Sequence, residues 1–402
     1  MTGPESPQEQ GLAPFADIQV GAHRLAILRD GGQTFSAMLA AIRSAERSIC
    51  LETYILRDDP TGARFGQALI ARARAGVEVN VLYDAWGSSV SIEYLVWLSQ
   101  GGVRTMAFHP VELSSTIDKT LAKLTLRNHR KLLVVDSKVA FTGGLNISDD
   151  YSSEADGGRD WRDTHMRIEG PVVAELLGFF LATWKAAGGP AVTAARHTPD
   201  VRSPLPRLVG AGRRSPPPVQ DPHVQVAASH LRRGRRTVRH AYGEAIREAR
   251  SHIYITNAYF LPTVRLLQAL RHAAQRGVDV RVMVAGTTDV PAVLHASRAI
   301  YGLLLKAGAR LFEWEGRVLH AKTATIDRSW STIGTSNLDR QSLRFNLEVN
   351  VIVRDSAFAG ALEAMFFQDL LSCREITLDG WEKRPLLDRA ASWVSYLARD
   401  LL

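Results

Sequence analysis

The sequence predicts an α/β protein built twice. It should form two tandem units, each a mainly parallel or mixed sheet flanked by helices, related by a pseudo-twofold with one site between them. Three observations carry this reading. The same three blocks recur in the same order, strand-like and helix-like apolar periods alternate within each copy, and a Pro-, Gly- and Arg-rich stretch separates the copies.

In the first copy AIRSAERSICLETYIL (Ala41 to Leu56) is followed by RARAGVEVNVL (Arg72 to Leu82) and HRKLLVVD (His129 to Asp136). In the second, AIREARSHIYITNAYF (Ala245 to Phe260) is followed by AQRGVDVRVMV and HAKTATID (His320 to Asp327). Repeats of this kind are read first, because a missed repeat misassigns the whole fold. The runs SICLETYIL, VEVNVLYD, KLLVVDSKVAFTG and THMRIEG read as strands. FGQALIARARA and its counterpart TVRLLQALRHAAQR have three-to-four-residue apolar spacing and end at Gly, as helices do. Such alternation favours sheets covered by helices on both faces. The expected boundaries are a first unit over 1–195, a linker over 196–222, a second unit over 223–380 and an amphipathic C-terminal helix over 381–402.

Composition narrows the function. The 402 residues are 46% hydrophobic and 22% charged, which excludes disordered, collagen-like and disulfide-stapled chains. Cys50 and Cys373 stand far apart, without the spacing of a disulfide framework or a zinc site. No signal pattern opens the sequence and no run reaches the roughly 18 apolar residues of a membrane span. A net charge of +8 implies an anionic partner: nucleic acid, an acidic lipid surface or a phosphate-bearing substrate.

The chemistry lies in the third block. His129-x-Lys131-x4-Asp136 is followed by Gly143-Gly144-Leu145-Asn146, and His320-x-Lys322-x4-Asp327 by Gly334-Thr335-Ser336-Asn337. Residues two apart on a strand share a face, so each His and Lys point together. The Gly and Asn that follow suit a turn bringing backbone N–H groups and an amide to the same spot. If the halves face each other, two His, two Lys and two Asn surround one point, and a phosphodiester is its natural occupant. A lone His-x-Lys would be discarded; its recurrence in matching halves is what gives it weight. Asp136 and Asp327, at a strand end before a turn, suit a structural hydrogen-bonding role at least as well as a chemical one.

These duplicated motifs resemble the phospholipase D superfamily. The blocks LETYILRDD, NHRKLLVVDSKVAFTGGLNISDDY, RDWRDTHMRIEGP, ITNAYFLP and HAKTATIDRSWSTIGTSNLDRQSLRFNLEVNVIV resemble the bacterial cardiolipin synthases, in particular the shorter kind without N-terminal transmembrane helices. The resemblance implies catalytic roles for His129, Lys131, Asp136, His320, Lys322 and Asp327. Lys131, Lys322, Asn146 and Asn337 would hold phosphate oxygens. The likeness also implies metal-free, cofactor-free displacement through a phosphohistidine, with His129 as nucleophile and His320 as acid and base; pseudo-symmetry leaves the reverse order open. Asp163 and Glu348, on the strands after each motif, are each expected to orient the histidine of their own half. Gly144 departs from the Ser or Thr common there and leaves Thr335 and Ser336 as the hydroxyl donors.

Phosphatidyl transfer is the implied activity, with phosphatidylglycerol as substrate and phosphatidylethanolamine or free glycerol as other candidate partners. The alternative is a phospholipase D or another phosphodiesterase, including a nuclease. No nucleic acid is expected, since no basic stretch interleaved with aromatics stands out. Such a chain is expected on the cytoplasmic face of the membrane, bound peripherally to an anionic surface. Leu386, Ala390, Trp393, Val394, Leu397 and Leu401 form one helical stripe, suited either to a membrane interface or to docking on the core. Leu113 to Lys131 is a second amphipathic candidate.

Overall fold

The computed structural model describes residues 16–109, 126–193, 221–229 and 237–397. Nearly all of the expected linker, most of the amphipathic candidate Leu113 to Lys131, and Leu401 lie outside the described residues.

Each half forms one eight-stranded sheet. The first contains β1 (Ile18–Val20), β2 (His23–Leu28), β3 (Ser48–Thr53), β4 (Glu78–Asp84), β5 (Arg104–Phe108), β6 (Leu132–Val135), β7 (Val139–Gly143) and β8 (His165–Glu169), in the order β1-β2-β8-β7-β6-β3-β4-β5. The second contains β9 (Val224–Ala228), β10 (His252–Asn257), β11 (Asp279–Ala285), β12 (Arg310–Trp314), β13 (Lys322–Ile326), β14 (Trp330–Gly334), β15 (Val349–Val353) and β16 (Cys373–Ile376). Its order is β16-β12-β11-β10-β13-β14-β15-β9, so the six strands β3 to β8 and the six strands β10 to β15 occupy equivalent places.

Both sheets are mixed. Parallel pairing is confined to β3-β4-β5 and β10-β11-β12, where a helix crosses between strands. The motif strands β6 and β13 run antiparallel to β3 and β10, and the tight turns after them make hairpins with β7 and β14. Turns of two or three residues permit only antiparallel neighbours, which is why the parallel part is smaller than the alternation of periods suggests. The predicted helix ends hold. Helices Pro60–Arg74 and Val264–Gln275 stop just before Gly76 and Gly277, both at φ of +90°, the left-handed closing conformation that glycine adopts without a Cβ penalty.

One apolar core spans the two halves. Leu132, Val134, Met166 and Ile168 of the first sheet share it with Ile333, Val349 and Val351 of the second, and helices Val172–Ala186 and Ser356–Leu370 fill its flanks. Arg29 and Arg162 of the first half both reach the buried carboxylate of Asp369 on helix Ser356–Leu370, Arg29 at 2.8 Å. Breaking such a buried pair by removing one partner costs about 3–5 kcal/mol, so the clasp fixes the halves in one relation.

Helix Leu386–Leu397 lies along helix Pro291–Leu305, with Ser392 buried and Tyr396 packed on the second-half core. Its predicted stripe faces the other way: Leu386, Val394 and Leu397 are 67–77% exposed and Trp393 is 53% exposed, and the neighbouring Leu387, outside the predicted stripe, is 84% exposed. The helix is docked, and the apolar stripe is not what docks it. No helix among the described residues is long and apolar enough to cross a membrane.

Candidate active site

The motif residues stand where the two sheets meet. Just before β6, Asn128 bridges in parallel to Leu347 of the second half: His129 N–H donates to Leu347 O at 3.0 Å and Leu347 N–H to Arg127 O at 2.8 Å. The second half repeats this just before β13. Arg162 bridges Leu319, with Arg162 N–H on Val318 O at 2.9 Å and His320 N–H on Arg162 O at 2.7 Å. In a parallel bridge the residues that follow lie side by side. His129 therefore stands next to Glu348, and His320 next to Asp163.

This corrects the expectation that each carboxylate orients the histidine of its own half. The pairing is crossed: His129 Nδ1 lies 3.0 Å from Glu348 Oε1 and 3.1 Å from Oε2, and His320 Nδ1 lies 2.7 Å from Asp163 Oδ2. Sequence separation within a half gave no view of this, because the register is set by two isolated bridges between strands about 160 to 220 residues apart. With Nδ1–H held by a carboxylate, Nε2 of each ring is the nitrogen left for chemistry.

All four groups are buried, with His129 8%, His320 5%, and Asp163 and Glu348 0% exposed. Burial pulls His129 below its usual value against the opposing charge of Glu348. It pulls His320 well below, helped by Lys322. Burial likewise pushes the Asp163 carboxyl up to about 6. The lysines are buried too. Lys131 is pulled down to about 7 and Lys322 to about 8, mainly by burial, while Glu348 and Asp163 work in the opposite direction. Lys131 Nζ donates to His129 O at 2.8 Å, and Lys322 Nζ to His320 O. An anion beside two buried ammonium groups would raise their lowered affinity for protons.

Between His129 and Lys131 the chain turns Arg130 to the opposite side, as a period of two requires. There it donates to Thr183 Oγ1 at 2.8 Å and stands 3.8 Å from Glu52, tying the site to helix Val172–Ala186.

The Gly-Asn turns close the site unequally. Asn146 Oδ1 accepts from Ile55 N–H at 3.1 Å, and its Nδ2 donates to Tyr151 Oη at 2.7 Å. Asn337 is buried and its Oδ1 has no hydrogen-bond partner among the described residues. Thr335 Oγ1 donates to Glu348 Oε2 at 2.5 Å. At the equivalent Gly144, a Cβ would fall inside the contact distance of the Asp163 carboxylate. Only glycine leaves room for that side chain.

Asp136 and Asp327, counted as catalytic by the resemblance, do not reach the site. Five residues of strand separate each from its lysine, about 16 Å at ~3.3 Å per residue. Asp136 accepts backbone N–H bonds from Glu46 (2.9 Å), Arg47 (2.8 Å) and Ser48 (2.9 Å). Asp327 does the same for Arg250 (2.8 Å), Ser251 (2.8 Å) and His252 (3.0 Å). Both sit at φ of +52°, a conformation that Asp tolerates better than most residues. They fasten the loops that enter β3 and β10.

Aromatic walls were not foreseen. Tyr54 packs edge-on to His129 with ring centroids 4.8 Å apart, and Lys131 Nζ lies 5.1 Å over its face. Around His320 stand Tyr151 at 5.5 Å, Tyr259 at 6.0 Å and Trp161 at 6.1 Å. A signal was present for two of them, since ETY and NAY close the repeated first block in both halves. Among the described residues no group of His, Cys, Asp and Glu is arranged to hold a metal ion.

A family profile described as "Cardiolipin synthase, PLD-like domain" matches residues 38–157 and 242–370, more than half of the chain. The chain belongs to this family. It is similar to a cardiolipin synthase of Geobacillus kaustophilus (strain HTA426), 34% identical over 406 residues, 99% of this chain and 77% of that one. It is also similar to cardiolipin synthase 2 of Bacillus anthracis, 34% identical over 379 residues, 93% of this chain and 70% of that one. The crystal structure of phosphatidylserine synthase from Haemophilus influenzae Rd KW20 matches with a TM-score of 0.71 at 13% identity, over 96% of this chain and 95% of that one, and shows the shared fold. The family makes this chain an enzyme of the phospholipase D superfamily, a phosphatidyltransferase of the cardiolipin synthase type.

Proposed function

We propose that the enzyme transfers the phosphatidyl group of one phosphatidylglycerol to a second, giving cardiolipin and glycerol through a phosphohistidine on His129. The observation that carries this reading is the pair of buried His–carboxylate units facing each other over two buried lysines. His129 Nε2 attacks phosphorus, the P–O bond to glycerol breaks, and His320 gives its proton to the departing oxygen. The acceptor hydroxyl then attacks phosphorus, the P–N bond breaks, and His320 takes the acceptor's proton. Lys131, Lys322, Asn146 and Asn337 hold the non-bridging oxygens throughout. Asp163, whose carboxyl burial raises, suits the unit that stores the proton for the leaving alcohol.

The same reading places the enzyme peripherally on an anionic bilayer at the cytoplasmic face. The outward stripe of helix Leu386–Leu397, with Lys383 and Arg389 beside it, supports this. Purified enzyme given detergent-dispersed phosphatidylglycerol tests the reaction. Cardiolipin and glycerol resolved by mass spectrometry, with an acid-labile phosphoenzyme absent from His129→Ala, are expected. Phosphatidic acid alone would make the protein a hydrolase.

A further inference from the structure

A carboxylate beside a phosphodiester site needs a reason, because it repels the substrate. Asp289 is such a group. It sits on the loop after β11, and Tyr259, two residues past the end of β10, donates its hydroxyl to Asp289 Oδ1. Thr288 Oγ1 donates to the same oxygen at 3.3 Å. The Tyr259 ring is the link to the chemistry: its edge lies against His320, centroid to centroid 6.0 Å. The Asp289 side chain is exposed, so solvent or a ligand can reach it. Its charge is felt across the site, opposing the lowering of both His320 and Lys322 and raising Tyr151 and Tyr54 from the two sides of the pocket.

We propose that Asp289, held by Tyr259, binds the acceptor, accepting hydrogen bonds from the hydroxyls of a polyol head group and so favouring transfer over hydrolysis. The inference rests on the phosphatidyl-transfer reading and names how that site chooses its second substrate. Anionic phosphate is kept to the lysine side, while a neutral head group rich in O–H donors satisfies the carboxylate. A hydroxyl held there stands beside His320, the group that takes its proton as the new P–O bond forms and the P–N bond to His129 breaks. Water, with no second hydroxyl to hold, gains least from Asp289.

The test is a product partition on detergent-dispersed phosphatidylglycerol with added ¹³C-labelled glycerol, the ratio of transfer products (labelled phosphatidylglycerol and cardiolipin) to phosphatidic acid being read by mass spectrometry. Asp289→Ala should lower the ratio about tenfold or more, the scale of one lost hydrogen bond to a charged group. Tyr259→Phe keeps the ring wall, frees the carboxylate's orientation, and should lower the ratio less. Asp289→Asn should keep part of the preference for a hydroxyl acceptor; complete loss with Asn, together with preferred transfer to ethanolamine in the wild type, would overturn the polyol assignment in favour of a cationic acceptor. Melting temperatures equal to wild type show that the variants fold, as an exposed loop position leads one to expect. A wild type that transfers, with a ratio that Asp289→Ala leaves unchanged, overturns the inference alone. A wild type yielding only phosphatidic acid overturns the transfer reading, and this inference with it.

Discussion

At the turn after each motif the first half has Gly144 where the second has Thr335, and the carboxylates beside them differ to match. Asp163 fills the space that a Cβ at 144 would take, and it meets His320 through one oxygen at 2.7 Å. Glu348, one methylene longer, accepts the Thr335 hydroxyl at 2.5 Å and meets His129 with both oxygens. Tyr151 Oη adds a polar neighbour 3.3 Å from His320 Nδ1. A duplicated backbone thus carries two unlike histidine environments. That suits two unlike tasks, attack on phosphorus by one ring and proton delivery by the other.

The comparison can be broken most directly at the histidines. His129→Ala and His320→Ala should each abolish turnover, and the double variant should be scarcely worse than either, because residues acting as one unit are grossly non-additive. A single variant that keeps more than about a tenth of the wild-type rate would remove its histidine from the reaction.

The carboxylates separate the two roles. Glu348→Gln and Asp163→Asn should each lower kcat on phospholipid by up to about 10⁴-fold, the loss when a histidine-orienting carboxylate becomes an amide. On a phosphodiester with an activated leaving group, which needs no acid, Asp163→Asn should recover formation of the phosphoenzyme and Glu348→Gln should not. Recovery by Glu348→Gln alone reverses the assignment of roles, and recovery by both shows that neither carboxylate is needed for the attack.

The turns sharpen the contrast between the halves. Gly144→Ala forces Asp163 away and should approach the loss seen for Asp163→Asn. Thr335→Val leaves Glu348 in place without its hydroxyl donor and should cost about tenfold, one hydrogen bond to a charged group. Equal effects would mean that the two turns do the same work.

The lysines give the pH dependence. On the proposed reading their charged forms bind the anion, and burial brings Lys131 to about 7 and Lys322 to about 8. As pH rises through that window the free enzyme loses positive charge, and each proton that substrate must restore costs up to about 1.4 kcal/mol per pH unit. The ratio kcat/KM on detergent-dispersed substrate should fall from pH 7 to 9. A flat profile would show that the lysines stay charged.

The smallest effect on chemistry is expected at the C-terminal helix. Replacing Leu386, Leu387, Trp393, Val394 and Leu397 with Ser should weaken binding to anionic vesicles and spare activity in detergent, since none of these side chains is buried in the core. Loss of activity in detergent would assign the stripe to the fold.

The repeat, the strands and the two His-x-Lys pairs could be read from the sequence because they depend on local pattern: periods of two and of three to four, closing glycines, and His-x-Lys spacing. The crossed pairing could not, since it follows from the Asn128–Leu347 and Arg162–Leu319 bridges, which join segments far apart in the chain. Asp136 and Asp327 were ambiguous for a related reason. Their motif spacing is fixed, but only the structure shows their oxygens turned to the backbone at 46–48 and 250–252. The C-terminal stripe was legible as a pattern, and its outward direction was not.

The central claim is that each histidine is oriented by the carboxylate of the other half. Proton NMR of enzyme labelled with ¹⁵N-histidine tests it directly, through the downfield Nδ1–H resonances of the two carboxylate-bound rings, assigned by loss in His129→Ala or His320→Ala. Glu348→Gln should remove or shift upfield the resonance of His129 and leave that of His320, and Asp163→Asn should do the converse. If Glu348→Gln instead moves the resonance of His320, each half orients its own histidine and the crossed arrangement is wrong.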